Sequence, residues 1–238
     1  MNFDTLKHLV FLDIETVRGK ASFNELSERM QQLWQKKALQ LNNEVNAEEL
    51  YYDKAGIYAE FGKIVCISIG VFYLKGEQLA LRVKAITNDD EKALLETFKS
   101  LVTDKFDERK LKYVAHNGKE FDFPYICRRM LINGVQIPSS LQLSGKKPWE
   151  IQHIDTMELW KFGDFKSFTS LDLLSAAFDI PTPKDDIDGS QVSSVYYEED
   201  NLVRIGHYCN KDVATTARVY LKMNGLDDLQ EDFISYVS

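Results

Sequence analysis

Cysteine is scarce in this chain, and it has neither a long apolar run nor an excess of basic residues. Three cysteines occur among 238 residues, at positions 66, 127 and 209, and none forms a CxxC pair. That spacing argues against a disulfide framework or a structural zinc site and fits a reducing interior, so a cytoplasmic location is expected. Cys66 falls in an apolar strand pattern and Cys127 and Cys209 in helical ones, so all three read as small core or surface residues. No stretch approaches the roughly 18 apolar residues that span a membrane. Asp4 and the acids that follow the short run 9–12 are equally unlike a signal peptide. The formal net charge is −8. A protein dedicated to duplex DNA usually carries a basic face. A nucleic-acid ligand would therefore be held locally, or through metal ions that offset a carboxylate cluster.

What is present is enough apolar material for a core: 44% of residues are hydrophobic, 14 of them Phe. Residues 9–14 are a continuous apolar run and read as a buried strand. Residues 24–37 and 47–52 are rich in helix formers. Residues 63–73, dense in β-branched and aromatic side chains, form the strongest strand signal, and 78–86 continue it as a hairpin across Lys75-Gly76-Glu77. Asn88 or Asp89 is placed to cap a helix with Leu94, Leu95, Phe98, Leu101 and Val102 on one face. A short strand at 113–115 ends at His116-Asn117-Gly118, and a helix over 123–133 stops at Gly134. Residues 151–154 read as a strand ending at Asp155, 170–178 as a helix, 181–189 as a loop and 201–223 as a long amphipathic helix. This order predicts one α/β domain over 1–238, a mixed sheet flanked by helices, with a helical insertion at about 18–60.

Asp13 and Glu15 form a D-x-E triplet at the end of the first strand. Two residues apart on a strand, the side chains share a face. Such a triplet arises about once by chance in a chain of this size, and Asp89 and Glu91 repeat it at a helix start, where acids favour the helix dipole. Asp122 lies just before Pro124 at a helix start, also an ordinary capping context. Tyr208 and Asp212 share one helix face, in a stripe with Ile205, Thr216 and Val219. Tyr196 and Asp200 repeat the spacing in front of that helix, where Asp200 reads as its cap. Clustered carboxylates repel one another unless cations separate them. Oxygen ligands favour Mg²⁺ or Mn²⁺, and two such ions are a common device for phosphodiester cleavage.

Around these acids the chain resembles the DEDDy-type 3′–5′ exonucleases, closest to the proofreading exonuclease domain of family B DNA polymerases and its stand-alone bacterial relatives. Phe11-Leu12-Asp13-Ile14-Glu15-Thr16 is similar to the first motif of that family. Asn117 with Phe121-Asp122-Phe123-Pro124-Tyr125-Ile126 is similar to the second, and Tyr208-Cys209-Asn210-Lys211-Asp212 to the third. The resemblance covers most of the chain apart from the insertion and the C-terminal tail. It implies a ribonuclease H-like fold and hydrolysis of 3′ ends of single-stranded DNA with two metal ions. Asp13, Glu15 and Asp212 would hold one ion, Asp13 would bridge to a second with help from Asp122, and Tyr208 would orient the attacking water. His207 and Asp212 also satisfy the H-x₄-D spacing of the histidine subtype, so a histidine general base is the rival to Tyr208.

Beside the motifs, Asn117, Phe121 and Tyr125 are candidates to bind substrate, the aromatics by stacking on a terminal base. Phe123 is a further aromatic there, with core packing as its alternative role. Asp155 is expected to cap a short helix over 157–160, and His116 to be a strand-end residue beside the site. Arg128, Arg129, Lys146 and Lys147 are nearby basic residues, suited either to phosphate contact or to a solvated face. An RNA-trimming enzyme of the same fold and a non-catalytic nucleic-acid-binding domain are the competing functions. The insertion could be a lid, a protein-contact surface or a structural elaboration. With no polymerase-like segment after the third motif, proofreading in cis is not expected.

Overall fold

The structure, a computed structural model, describes residues 3–42, 44, 46–164, 166–181 and 187–237. A single helical turn, α1 (Phe3–Leu6), leads into β1 (Leu9–Arg18), and the insertion then forms α2 (Glu28–Leu41) and α3 (Ala47–Lys54). The hairpin β2 (Gly62–Lys75) and β3 (Gln78–Thr87) is followed by α4 (Glu91–Lys105), β4 (Lys112–Ala115) and α5 (Asp122–Ile132). The chain continues through β5 (Ile154–Asp155), α6 (Thr156–Lys161), α7 (Leu171–Ala177), α8 (Val192–Tyr197), the long α9 (Leu202–Met223) and β6 (Ile234–Val237). Among the described residues six strands form one sheet in the order β5-β4-β1-β2-β3-β6. Neighbours β1, β2 and β3 are antiparallel, whereas β4, β5 and β6 join in parallel. This is the mixed α/β sheet that the order of elements predicts, and among the described residues no helix is long and apolar enough to cross a membrane.

The continuous apolar run of β1 follows from burial on both faces. Val10, Leu12 and Ile14 join Leu94 and Phe98 of α4 and Phe123 and Ile126 of α5 in one core. Leu9 and Phe11, on the opposite face by the two-residue alternation of a strand, pack on Val213, Ala217 and Leu221 of α9. Asp13 and Glu15 continue this second row, so the fold itself aims them at α9. The insertion folds around Trp34, which is fully buried against Tyr51 and Phe61 and donates its indole N–H to the Ala47 carbonyl at 2.6 Å. Gly56 then comes so close to β1 that a Cβ there would lie 3.1 Å from the Val17 carbonyl carbon.

Several local expectations are corrected. β1 does not end near Asp13 and Glu15. It runs on to Arg18, because Thr16–Arg18 pair with Gly62–Ile64 beyond an irregularity after Glu15. The cap of α4 is Asp90, which accepts from the N–H groups of Lys92 and Ala93. Asn88 binds the N–H of Asp90 instead, and Asp89 accepts from the Tyr196 hydroxyl. The cap of α9 is Asn201, not Asp200, whose backbone occupies the left-handed region at φ 50°. Glu91 does more than complement a helix dipole. It is buried, pairs with Arg129 and accepts from the N–H of Ile64 at 2.7 Å, joining α4, α5 and β2. The strand expected at 151–154 is confined to Ile154–Asp155. α1, α8 and β6 were carried by no periodic signal, and residues 182–186 of the expected loop at 181–189 lie outside the described residues.

The irregular stretch before β5 turns His153 inward. Its Nε2–H donates to the Ser140 carbonyl at 2.9 Å and its Nδ1 accepts from the Tyr113 N–H at 3.3 Å. The neutral tautomer satisfies both partners, and a proton on Nδ1 would face an N–H. Burial accordingly pushes the His153 pKa down to about 4. In the unfolded chain the value returns to about 6.5, so the unfolded state binds the extra proton and stability is lost as pH falls from about 6.5 to 4. Urea unfolding at pH 7 and pH 4.5 should show that His153→Gln removes part of this loss, up to roughly 3 kcal/mol. An unchanged pH slope would contradict the buried-tautomer account.

Candidate active site

β4 pairs with β1 only from Leu9 to Phe11. Past Phe11 no strand among the described residues lies beside the outer edge of β1, and the Ile14 N–H there donates to Asp122 Oδ1 at 3.1 Å. Asp122 is the first residue of α5 and is buried, at a helix end whose N–H groups favour a carboxylate. The turn that delivers it is tight. Asn117 adopts φ 64°, a conformation Asn tolerates better than most residues, and a Cβ on Gly118 would lie 2.3 Å from that of Ala115. Asp155 shapes this turn from outside. Its carboxylate accepts from the N–H of Asn117 and Lys119 at 2.9 and 3.0 Å, and from those of Met157 and Glu158 at the start of α6. The expected cap is thus also the organiser of the second motif. His116 adds bonds to Thr156 Oγ1 and the Thr169 carbonyl, both at 2.9 Å.

On the α9 side, ligand atoms of Asp13, Glu15 and Cys209 all lie within 4.8 Å of one another. The Cys209 thiol faces Asp13 Oδ2 at 3.3 Å and the Asp13 carbonyl at 3.5 Å. One residue earlier, Tyr208 is half-buried and its hydroxyl bonds to Asp212, one turn further along the helix. Burial raises the Asp13 carboxyl well above the usual carboxylate range, and the charges of Asp122 and Asp212 add to it. Glu15 is likewise raised, first by burial and then by Asp13 and Asp212. Burial lifts Asp122 to about 7 despite bonds from its own N–H and that of Ile14, with Asp155 and Asp212 contributing. Burial, then Asp212, Glu15 and Asp13, push the Tyr208 hydroxyl far up, so it stays a neutral O–H. Asp13 and Glu15 of β1 thus lie together beside Cys209 of α9, and Asp122 of α5 and Asp212 of α9 act on them through their charges.

Every charged neighbour that leads in shifting Asp13, Glu15 and Asp122 is itself acidic. Such a set is stable at neutral pH only with protons or cations between the carboxylates. The donors are mainly hard oxygens, which fits Mg²⁺ or Mn²⁺, with Cys209 as a softer neighbour.

The remaining candidates divide. Asn117 lines a cleft with Lys119, Asp155 and Lys161. Phe121 is half-buried, its ring 5.3 Å from that of Tyr125. Tyr125 is not available to stack on a base. It is 1% exposed, and its hydroxyl donates to the Gly56 carbonyl at 2.7 Å, tying the insertion to α5. Phe123 is core. Arg129 is engaged by Glu91 and the Ala59 carbonyl, whereas Arg128, Lys146 and Lys147 are exposed. His207 is exposed and lines a different cleft, with β3 and Val237, on the side of α9 away from Asp13. Cys209 and Asp155 carry more of the site than sequence reasoning assigned them. The first was visible as a neighbour of Tyr208, while the reach of the second depends on tertiary contacts alone.

Comparison with known proteins agrees with this geometry. Residues 57–233, well over half of the chain, match a family described as a predicted 3′–5′ exonuclease related to the exonuclease domain of PolB. The matched span contains Asp122, Tyr208 and Asp212 and begins after Asp13 and Glu15, which the sheet brings back to them. No curated protein matches the chain in sequence. In fold it is similar to the family B DNA polymerase from the hyperthermophilic archaeon Pyrobaculum calidifontis, with a TM-score of 0.54 and 13% identity over 90% of this chain and 24% of that one. The chain therefore spans about a quarter of the polymerase, and the likeness is one of fold, consistent with the ribonuclease H-like sheet.

The raised carboxyls have a consequence for stability. A group whose pKa is higher folded than unfolded stabilises at low pH, and that contribution is lost as pH rises through the folded value. For Asp122 the window runs from about 4 to about 7. Asp122→Asn keeps an acceptor for the Ile14 N–H and removes the charge. In EDTA at pH 8 this variant should melt about 3 °C or more above the wild type, on the scale of 2–4 °C per kcal/mol, and the gain should vanish near pH 4.5. A lower melting temperature at pH 8 would contradict the charge-repulsion account.

Proposed function

The chain belongs to the family of predicted 3′–5′ exonucleases related to the exonuclease domain of PolB, and from this premise we propose that it removes nucleotides from the 3′ end of single-stranded DNA with two divalent ions, Mg²⁺ or Mn²⁺. The observation that carries the proposal is the close grouping of Asp13, Glu15 and Cys209, with ligand atoms within 4.8 Å of one another, and it is supported by the acidic influence of Asp122 and Asp212 on Asp13. In this reading Asp13, Glu15 and Asp212 would hold one ion, and Asp13 and Asp122 would hold the other. Bound there, such ions would supply positive charge that acidifies a water and offsets the charge on a departing 3′ oxygen.

The rest of the work belongs to the chain's own groups. Tyr208, anchored on Asp212 and kept as a neutral O–H, has the position and chemistry to orient the attacking water by a hydrogen bond. The Cys209 thiol steadies Asp13 Oδ2, and the Asp155 carboxylate holds the turn from which Asp122 emerges. His207, turned to another face of α9, has no part in this chemistry.

Incubation with a 5′-labelled single-stranded oligonucleotide and Mg²⁺ or Mn²⁺ should give a ladder shortened from the 3′ end, with no shortening in EDTA. Asp13→Asn should lower the rate at least about a thousandfold, as expected for loss of a charge that positions catalytic cations. RNA of the same sequence should be degraded more slowly, and an RNA rate equal to or above the DNA rate would transfer the assignment to an exoribonuclease. An oligonucleotide left intact by the wild type under all metal conditions would refute the proposal.

The identity of the water-orienting residue has its own test. Tyr208→Phe should cost roughly ten- to a hundredfold in kcat, while His207→Ala should stay within about twofold of wild type. The reverse ranking would assign the role to His207.

A further inference from the structure

The chain is acidic overall, yet one rim beside the acid site presents large exposed aromatic rings with lysines laid over them. Trp149 is 76% exposed, Phe162 90% and Phe168 67%. The Lys147 ammonium lies 5.2 Å from the Trp149 ring centre, and that of Lys161 4.2 Å from the ring centre of Phe168. Phe162 ends α6 in the left-handed region, at φ 44°, an uncommon conformation for a bulky residue. A soluble domain gains nothing in folding from three such rings in water.

Asn117 and Asp155 line a cleft whose other lining residues include chain neighbours of two of these rings. Pro148, Lys161 and Gly163 line this cleft, and each is the chain neighbour of Trp149 or Phe162. Phe168 is fixed to the same place from behind, because the next residue, Thr169, accepts through its carbonyl from His116. Within the cleft, Asp155 is close enough to Asp122 to raise its pKa. Asp155 thus belongs both to this cleft and to the turn that carries Asp122, so the cleft lies next to the carboxylate site.

We propose that this cleft is the path of the substrate strand, with Trp149, Phe162 and Phe168 as stacking surfaces for successive unpaired bases and Lys147 and Lys161 as partners of the intervening phosphates. Every base has a flat face, so aromatic stacking combined with dispersed positive charge holds a single strand without reading its sequence. A duplex hides its base faces and offers nothing to these rings. The surface thus selects single-stranded nucleic acid, and it does so locally, as a chain of net charge −8 requires. The lysines already rest on the rings, so a phosphate approaching them meets charge and ring together.

The proposal rests on the exonuclease reading for the direction of the strand, but binding tests it without catalysis. Of the three tryptophans, Trp34 is fully buried and Trp160 is half-buried against Phe178, so binding of (dT)20 in EDTA should quench the share of the emission that comes from the exposed Trp149. The wild type should bind (dT)20 at least tenfold more tightly than the corresponding hairpin duplex. The triple variant Trp149→Ala, Phe162→Ala, Phe168→Ala should weaken (dT)20 binding at least tenfold, and Trp149→Phe alone should keep affinity while losing the quench. Thermal unfolding of the triple variant checks that it folds. Should it not, Lys147→Glu with Lys161→Glu is the second test, with a tenfold loss and a shallower salt dependence expected.

Wild-type affinity in a folded triple variant, or in the charge-reversed one, would overturn the strand path and leave the exonuclease reading standing. Quenched, tight binding by a wild type that shortens no oligonucleotide would overturn the exonuclease reading and leave the strand path standing.

Discussion

The bond from the Ile14 N–H to Asp122 Oδ1 is the contact on which the site depends. It exists because β4 is short. A strand that continued beside β1 would satisfy Ile14 and shut out α5, whereas the early end of β4 leaves a backbone donor that a side chain must meet. A carboxylate at a helix start is a strong partner for it. The same bond brings a third acid against the two that β1 presents on its α9-facing row. The hydrogen-bonding needs of an interrupted sheet and the assembly of the acid cluster are thus one event.

That assembly opposes folding in the absence of cations. Asp13, Glu15 and Asp122 are each raised first by burial and then by neighbouring acids, and the fold tolerates this because its stability is secured elsewhere. Phe11 is packed edge-on against Phe72 and Tyr220, and the buried Glu91–Arg129 pair closes the opposite face of the sheet. Rigid surroundings hold the carboxylates at positions they would not choose. A cation held there would relieve the repulsion, so affinity for divalent ions and the cost of gathering the acids would have the same origin.

Much of this was legible in the sequence, and the exceptions have physical reasons. The strands 9–14 and 63–73 announce themselves because both faces of β1 and β2 are buried. The two D-x-E triplets look alike in sequence and are separated only by tertiary partners: Glu91 meets the guanidinium of Arg129, while Glu15 meets Asp13 and Asp212. Tyr125 was read as a stacking residue because its motif alternates aromatics. Helical rotation sends it and Phe123 inward and leaves only Phe121 partly exposed. Asp200 yielded its expected cap to Asn201 by a single backbone angle, which no spacing rule encodes. β6 is four residues long and gains its pairing from β3, 153 positions away in the chain, so no local pattern marks it.

The central claim is that these carboxylates form a metal site rather than a merely buried acidic cluster. Anomalous diffraction from crystals soaked in Mn²⁺ tests it most directly. The account predicts strong peaks bounded by Asp13, Glu15, Asp122 and Asp212, and their loss in crystals of Asp13→Asn. Absence of Mn²⁺ from this cluster at millimolar concentrations, or its binding elsewhere with the four acids unliganded, would contradict the account.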